Sequence, residues 1–178
     1  MSRLCDLADK YGCDKAPSIR HSYTPFYHQL FQGRCVRALL EVGVLEGASL
    51  RMWRDYFPEA EIVGFDIEPG YMVNGEERIQ TFLCNGTDGG IQLHRKYMPE
   101  KFDIIIDDAS HEPDDQVAAV NNLMPFLADG GVYVIEDVWS IRRVSKALQY
   151  SHAIQVFKSG NAALEIDDVL IVIEKERP

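Results

Sequence analysis

Residues 37–53, RALLEVGVLEGASLRMW, have the pattern of a buried strand, a glycine-containing turn and the start of a helix. The strand portion is almost continuously apolar, as expected where helices cover both faces of a parallel sheet. Gly43 and Gly47 lie in the turn, where glycine allows a tight bend and a close approach of the backbone to a ligand. Leu50 and Trp53 then recur at helical spacing. This strand–turn–helix unit predicts an α/β fold.

The same alternation of apolar runs and amphipathic stretches continues towards the C-terminus. Six further runs are strand-sized and cover residues 61–67, 79–85, 102–108, 131–138, 152–158 and 168–176. The pattern predicts a doubly wound, seven-stranded, mostly parallel sheet of the Rossmann-like type. Because the last two runs lie close together, we expect them to form an antiparallel hairpin at one edge. Residues 1–36 are a helical or irregular lead-in, and residues 37–178 are one domain.

Composition excludes several classes of protein. The 178 residues are 46% hydrophobic and 26% charged, which is typical of a globular domain. The formal net charge of -10 argues against nucleic acid as a partner, because a nucleic-acid binder needs a basic face. The N-terminus lacks an apolar signal sequence and no apolar run is long enough to cross a membrane, so we expect a cytoplasmic protein. The four cysteines show no CxxC spacing, which predicts free thiols.

The turn after the first strand distinguishes between two cofactors. Ligands of open α/β sheets bind at the carboxyl ends of the strands, and Asp66, at the end of the second strand, is suited to bind ribose hydroxyls. A nicotinamide site requires GxGxxG and binds a pyrophosphate at the helix N-terminus. Here Gly43 and Gly47 give GxxxG, and Glu46 would repel a pyrophosphate. S-adenosylmethionine carries a cationic sulfonium and no phosphate, so it fits this acidic turn better.

Six motifs give the chain a resemblance to a known family. They are DKYGCDK, HSYTPFYHQLF, LLEVGVLEGASLRMW, IVGFDI, FDIIIDDASHE and GGVYVIEDV. With them the chain resembles class I S-adenosylmethionine-dependent methyltransferases, most of all the macrolide-sugar O-methyltransferases of the mycinamicin and macrocin type. The chain also resembles, more distantly, the cephalosporin-hydroxylase-like proteins. The resemblance implies an O-methyltransferase that modifies a hydroxyl of a sugar or other small molecule in natural-product or glycan biosynthesis.

The resemblance also implies roles for individual residues. Glu41, Gly43 and Gly47 would line the methionine and ribose portions of S-adenosylmethionine, and Asp66 would bind the ribose. Asn85 matches a position near the adenine where the family often has an acid.

A second set of roles concerns a divalent metal, usually Mg²⁺. Asp108, Glu136 and Asp137 match the family's metal-holding carboxylates, and His111 matches its general base. Strand alternation allows only one residue of the Asp107–Asp108 pair to be a direct ligand. The family match assigns Asp108 to the metal, and Asp107 is left either to support the ligands indirectly or to face the cofactor. Glu136 and Asp137 can both face the metal only if the chain turns there.

The chemistry agrees with these roles. A sugar hydroxyl is a very weak acid, and a bound divalent cation lowers the pKa of a coordinated hydroxyl and fixes its direction. His111 can then accept the proton. Carboxylates from neighbouring strand ends offer the hard oxygen ligands that Mg²⁺ prefers.

Several alternatives stay open at this point. Only residues 139–151 separate the fifth and sixth strand runs, where sugar methyltransferases commonly carry more structure over the substrate. The acceptor is therefore a sugar or polyol, a catechol-like diol or another small molecule. A nicotinamide-dependent oxidoreductase and a non-catalytic cofactor-binding domain are the remaining alternatives.

So short a chain needs extra material to close its acceptor pocket. We expect residues 1–36, with His21, Tyr23 and Tyr27, to fold over the cofactor as a lid and form one wall of the pocket. Trp139 is expected to border it. A second subunit, in a homo-oligomer, is one way to supply another wall.

Overall fold

The computed structural model describes residues 2–157 and 168–177, and in these ranges the strands form one seven-stranded sheet. The strands are β1 Ala38–Val42, β2 Glu61–Asp66, β3 Ile79–Leu83, β4 Phe102–Asp107, β5 Leu127–Ile135, β6 Ala153–Val156 and β7 Val169–Glu174. Their order is β3-β2-β1-β4-β5-β7-β6. Strands β1 to β5 pair in parallel, whereas β7 is antiparallel to both β5 and β6. The predicted fold class and antiparallel edge are confirmed, and residues 158–167, between β6 and β7, lie outside the described ranges.

Helices cover both faces of the sheet. They are α1 Arg3–Tyr11, α2 Tyr23–Phe31, α3 Ala48–Tyr56, α4 Ile91–His94, α5 Pro113–Leu123 and α6 Ile141–Ala147. Alternate strand residues such as Leu39, Ile106 and Val134 pack with α1, α2 and α3, and we name this side the α1–α3 face. Their neighbours, including Ile105 and Ile135, pack with α5 and α6 on the α5–α6 face. The period-2 pattern of each strand thus decides which face receives each side chain.

The lead-in is helical and belongs to the main core. Tyr23, Tyr27 and Phe31 follow one another at helical spacing on α2 and are at most 1% exposed. Tyr27 stacks on Phe31 and meets the ring of Trp53 edge-on at 5.5 Å, which confirms Trp53 as a core residue. Residues 2–36 therefore share one hydrophobic core with the sheet.

The glycine pair Gly130–Gly131 lies inside β5, beyond the end of helix α5. Helix α5 ends at Leu123, a 3₁₀ turn follows, and β5 already begins at Leu127. Gly130, with φ +78°, lies inside β5 where the pairing register with β4 shifts. Its left-handed backbone forms the bulge that the register shift requires.

Two negative predictions can be checked against the described residues. Across residues 2–157 and 168–177, every helix is too short or too polar to cross a membrane. All four cysteines are free thiols, and only Cys35 is exposed.

Candidate functional site

An acidic cluster forms at the carboxyl ends of β1, β4 and β5. Glu41, Asp108 and Glu136 continue the alternation of Leu39, Ile106 and Val134, so all three side chains extend towards the α1–α3 face. Glu41 and Glu136 are almost fully buried, whereas the Asp108 side chain is 22% exposed. Parallel pairing of neighbouring strands is what places residues from distant parts of the chain together.

The ammonium group of Lys15 lies between these three carboxylates. Its Nζ donates a 2.7 Å hydrogen bond to Glu136 Oε2 and a short one to Asp108 Oδ2, and it lies 3.4 Å from Glu41 Oε1. Lys15 itself is 1% exposed. Tyr27 donates to the other oxygen of Glu136 at 2.6 Å, and Trp53 Nε1 donates to Glu41 at 3.1 Å.

The protonation equilibria reflect an excess of buried negative charge. Burial raises the pKa of Glu41 to about 7, although Lys15 opposes this shift. Burial likewise raises the pKa of Glu136 well above its usual value, and the nearby carboxylates add to the effect. Burial lowers the pKa of Lys15, but the three surrounding carboxylates outweigh it and hold that pKa well above the usual value.

Asp137 lies just beyond the end of β5, where the chain turns. Its φ of +52° places it in the left-handed region, so the turn required for it to leave the strand direction is present. Tyr23 donates a short hydrogen bond to its Oδ1, and His21 Nε2 lies 3.8 Å from its Oδ2. His21 is fixed in turn by a 2.7 Å hydrogen bond between Nδ1 and Asp168 Oδ1. Burial raises the pKa of Asp137.

His111 completes a three-residue group with Asp108 and Asp137. Its Nε2 lies 3.9 Å from Asp108 Oδ1 and 3.8 Å from Asp137 Oδ2. Each of the three residues offers one metal-ligating atom, and these atoms all lie within 4.8 Å of one another. At this spacing a single metal ion can contact all three. His111 has φ +60°, so both it and Asp137 have left-handed backbones. Such conformations cost about 1–2 kcal/mol each for a residue with a Cβ and are found preferentially at functional sites.

The turn after β1 borders this group. Gly43 approaches the chain after β4 so closely that a Cβ at this position would lie 2.1 Å from the carbonyl oxygen of Asp108. Gly47, with φ +77°, is the N-cap of α3. Asp66 Oδ2 accepts hydrogen bonds from the backbone N–H groups of Val44 and Leu45 at 2.8 and 3.2 Å. The predicted ribose ligand therefore also fixes the turn on which the cofactor is expected to bind.

Three further residues were predicted to contact the cofactor. Glu41 is completely buried and contacts Trp53 and Lys15. Asp107 is buried on the α5–α6 face, opposite Asp108, and burial raises its pKa to about 7. Asn85 is exposed and accepts hydrogen bonds from its neighbour Thr87.

Two residues of the site were not predicted. Lys15 is 93 residues from Asp108 and 121 residues from Glu136 in the chain, and a lysine in a charged N-terminal segment has the pattern of a surface residue. Its place within the motif DKYGCDK was the one available signal. Asp168, the partner of His21, lies immediately before β7, and no motif included it.

One surface cleft of the described residues lies elsewhere. It has a volume of about 540 Å³ and is lined by residues at the amino ends of the parallel strands, including Arg34, Asp103 and Gly130. Ligands of open α/β sheets bind at the opposite, carboxyl ends. The acidic group is therefore the better candidate for a functional site.

Comparison with known proteins identifies related methyltransferases. Residues 40–138 match a protein family described as "Methyltransferase domain". The chain is 37% identical over 143 residues to the 8-demethyl-8-(2-methoxy-alpha-L-rhamnosyl)-tetracenomycin-C 3'-O-methyltransferase of Streptomyces olivaceus, a match that covers 75% of this chain and 36% of that protein. It is 36% identical over 149 residues to the mycinamicin VI 2''-O-methyltransferase of Micromonospora griseorubida, with 77% and 36% covered. The chain thus spans about a third of the length of these relatives.

Solved structures agree with the sequence comparison. The MycE methyltransferase of the mycinamycin biosynthetic pathway, in complex with Mg, SAH and mycinamycin VI, superimposes with a TM-score of 0.76 at 25% identity. This match covers 99% of the present chain and 55% of MycE. A fibrillarin from Methanococcus jannaschii, at 17% identity and a TM-score of 0.59, covers 82% of this chain and 69% of its own and shares the fold alone.

Proposed function

The chain belongs to the methyltransferase-domain family, and on this premise we propose that it transfers the methyl group of S-adenosylmethionine to a hydroxyl of a sugar-bearing natural product with the help of a divalent metal. The observation that carries the proposal is the group formed by Asp108, His111 and Asp137, with donor atoms within 4.8 Å. It lies next to the glycine turn after β1, where the cofactor is expected. The nicotinamide-dependent alternative finds no support in this family membership.

The donor set fits a hard divalent cation such as Mg²⁺. Asp108 and Asp137 offer carboxylate oxygens, the ligand type that Mg²⁺ prefers. Burial raises the pKa values of Asp137 and Glu136, and the neighbouring carboxylate of Asp108 adds to the effect. Glu136, the third predicted ligand, is bonded to Lys15 and Tyr27 here and lies beside this group. We propose that Asp108 and Asp137 bind the cation directly and that Glu136 lies next to the bound cation.

The bound cation would lower the pKa of a coordinated acceptor hydroxyl and thereby make it a better nucleophile. His111 is placed to accept the hydroxyl proton, because it is partly exposed and lies at the same strand ends as the two aspartates. Asp137 is positioned by Tyr23, and Asp108 by Lys15, so the lead-in fixes both acids.

The cofactor is proposed to bind along the turn after β1 and the end of β2. Gly43 is partly exposed and Leu45 and Glu46 are exposed in this turn, and Asp66 is partly exposed at the strand end. The acidic surroundings favour the positive sulfonium. MycE, which was solved with SAH and Mg, supports this cofactor and this metal.

The acceptor class rests on the relatives. Several of them are named for methylation of sugar hydroxyls on polyketides, which supports a glycosylated acceptor here. Tyr23, Tyr27 and Lys15 bring the lead-in into contact with the acids, and we propose that it forms one wall of the acceptor pocket.

Ligand-dependent melting tests the cofactor assignment. We expect S-adenosylhomocysteine to raise the melting temperature and NAD or NADP to leave it unchanged. A ligand that binds only the folded state adds about 2.7 kcal/mol at 100 times its Kd, which is readily measured. A matched variant, Asp66→Asn, should reduce the shift, while its amide oxygen can still accept from the turn. A shift with NAD and none with S-adenosylhomocysteine would overturn the proposal.

A further inference from the structure

Lys15 contributes a fixed positive charge at the metal-binding edge of the sheet. Its main-chain carbonyl accepts hydrogen bonds from the N–H groups of Tyr23 and Thr24, both at 3.2 Å, at the beginning of α2. Because Tyr23 and Thr24 are themselves fully buried, the backbone of Lys15 is held in the core. The side chain that extends from this fixed backbone is 1% exposed and ends among the carboxylates.

Asp108 is shared between this ammonium and the proposed cation. Its Oδ2 accepts from Lys15, while its Oδ1 faces His111 at 3.9 Å. One carboxylate oxygen of Glu136 also accepts a hydrogen bond from Lys15, at 2.7 Å. A divalent cation bound by Asp108 would thus lie a few ångströms from a permanent positive charge, and like charges at such a distance repel strongly where water is largely excluded.

We propose that Lys15 is a positioning residue that lowers the affinity of the acidic site for a divalent cation while it holds Asp108 and Glu136 in place. The inference rests on the proposed function, because it assumes that a cation binds at Asp108 and Asp137. It goes beyond that function by assigning the control of metal affinity to a residue that does not bind the metal.

The direction of the effect separates this role from a merely structural one. If Lys15 only supported the fold, its removal would loosen the carboxylates and weaken metal binding. If its charge opposes the cation, its removal tightens binding, because Asp108 and Glu136 lose their competing partner. A merely structural role of Lys15 would not explain tighter metal binding after its removal.

Binding of Mn²⁺, measured by electron paramagnetic resonance on the full chain without cofactor, tests the inference. Lys15→Met should lower the Kd for Mn²⁺ by at least about tenfold, which is a small part of the interaction expected for charges this close. Lys10→Met is the matched control, since Lys10 is exposed and pairs with Asp55 on the surface, and it should leave the Kd unchanged.

Loss of the ammonium leaves the buried Glu41 and Glu136 and the partly exposed Asp108 without their cation, which destabilises the fold, so the same substitution is also made in a second background. Glu41→Gln removes one of these acids but keeps an oxygen for Trp53. Lys15→Met in that background should again bind Mn²⁺ at least about tenfold more tightly than Glu41→Gln alone.

The outcomes distinguish the two proposals. Unchanged or weaker Mn²⁺ binding in folded Lys15→Met, or in the folded pair if the single variant unfolds, overturns the role of Lys15 and leaves the proposed function intact. Absence of Mn²⁺ binding in the wild type and in every variant overturns both. Binding that becomes tighter in both backgrounds supports the inference.

Discussion

Substitution of Gly43 by alanine should disrupt the site through the backbone. The added Cβ would lie 2.1 Å from the carbonyl oxygen of Asp108 and 2.7 Å from its carbonyl carbon, so the two chain segments would have to separate by about 1 Å. Gly43 also has φ +92°, which a residue with a Cβ adopts only under strain.

Two costs make up the expected loss of stability. A left-handed backbone costs about 1–2 kcal/mol for a non-glycine residue. Overpacking of a rigid contact costs about 1–3 kcal/mol more. Gly43→Ala should therefore lower the free energy of unfolding by about 2–5 kcal/mol, and the displaced Asp108 should also weaken Mn²⁺ binding.

Urea denaturation with a matched control separates the two costs. Gly12, the C-cap of α1, has φ +68°, but a Cβ added there would meet nothing within 4 Å, so Gly12→Ala carries the backbone strain without the collision. We expect Gly43→Ala to be the more destabilising variant and Gly12→Ala to bind Mn²⁺ normally. Equal losses of stability, with metal binding intact in both, would refute the close approach as the element that positions Asp108.

Three further predictions concern the acids and the base. His111→Ala should lower turnover by roughly 10²–10⁴-fold with unchanged affinity for S-adenosylhomocysteine, whereas His152→Ala, at a hydrogen bond to Ser145 away from the site, should have normal turnover. Asp137→Asn should bind Mn²⁺ at least about tenfold more weakly, as loss of a charged ligand implies, and calorimetry will show this. Burial raises the pKa of Asp107 from 3.8 to about 7, so the folded state holds this proton more tightly than the unfolded state does. The stability that Asp107 contributes is therefore complete at acidic pH and is lost as the pH rises to about 7. Between pH 4 and pH 8 the free energy of unfolding of the wild type should therefore fall relative to that of Asp107→Asn, as measured by urea denaturation. The same pH dependence in both proteins would contradict this.

Local patterns were sufficient to predict the sheet. The continuous apolar runs predicted all seven strands, and the helical spacing between them predicted the helices. Strand alternation predicted that Asp107 and Asp108 lie on opposite faces of the sheet. The turn at Asp137 could be stated only as a condition, because a positive φ at an aspartate leaves no mark in the sequence.

Long-range partners were beyond such patterns. Lys15 is buried only because strand order brings Glu41, Asp108 and Glu136 together, and no local property of residues 1–36 reveals this. The same holds for the contacts of Glu41, whose carboxylate is enclosed by Lys15 and Trp53. Charge compensation inside the core depends on the complete fold.

The most direct test of the metal-assisted methyltransferase proposal is a crystal grown with S-adenosylhomocysteine and Mn²⁺, with anomalous scattering recorded to locate the metal. We predict one anomalous peak between Asp108 and Asp137, with the sulfur of the ligand next to the turn that contains Gly43. A ligand bound on that turn without a peak at the two aspartates would contradict the metal assignment, and a ligand absent from the turn would contradict the cofactor site itself.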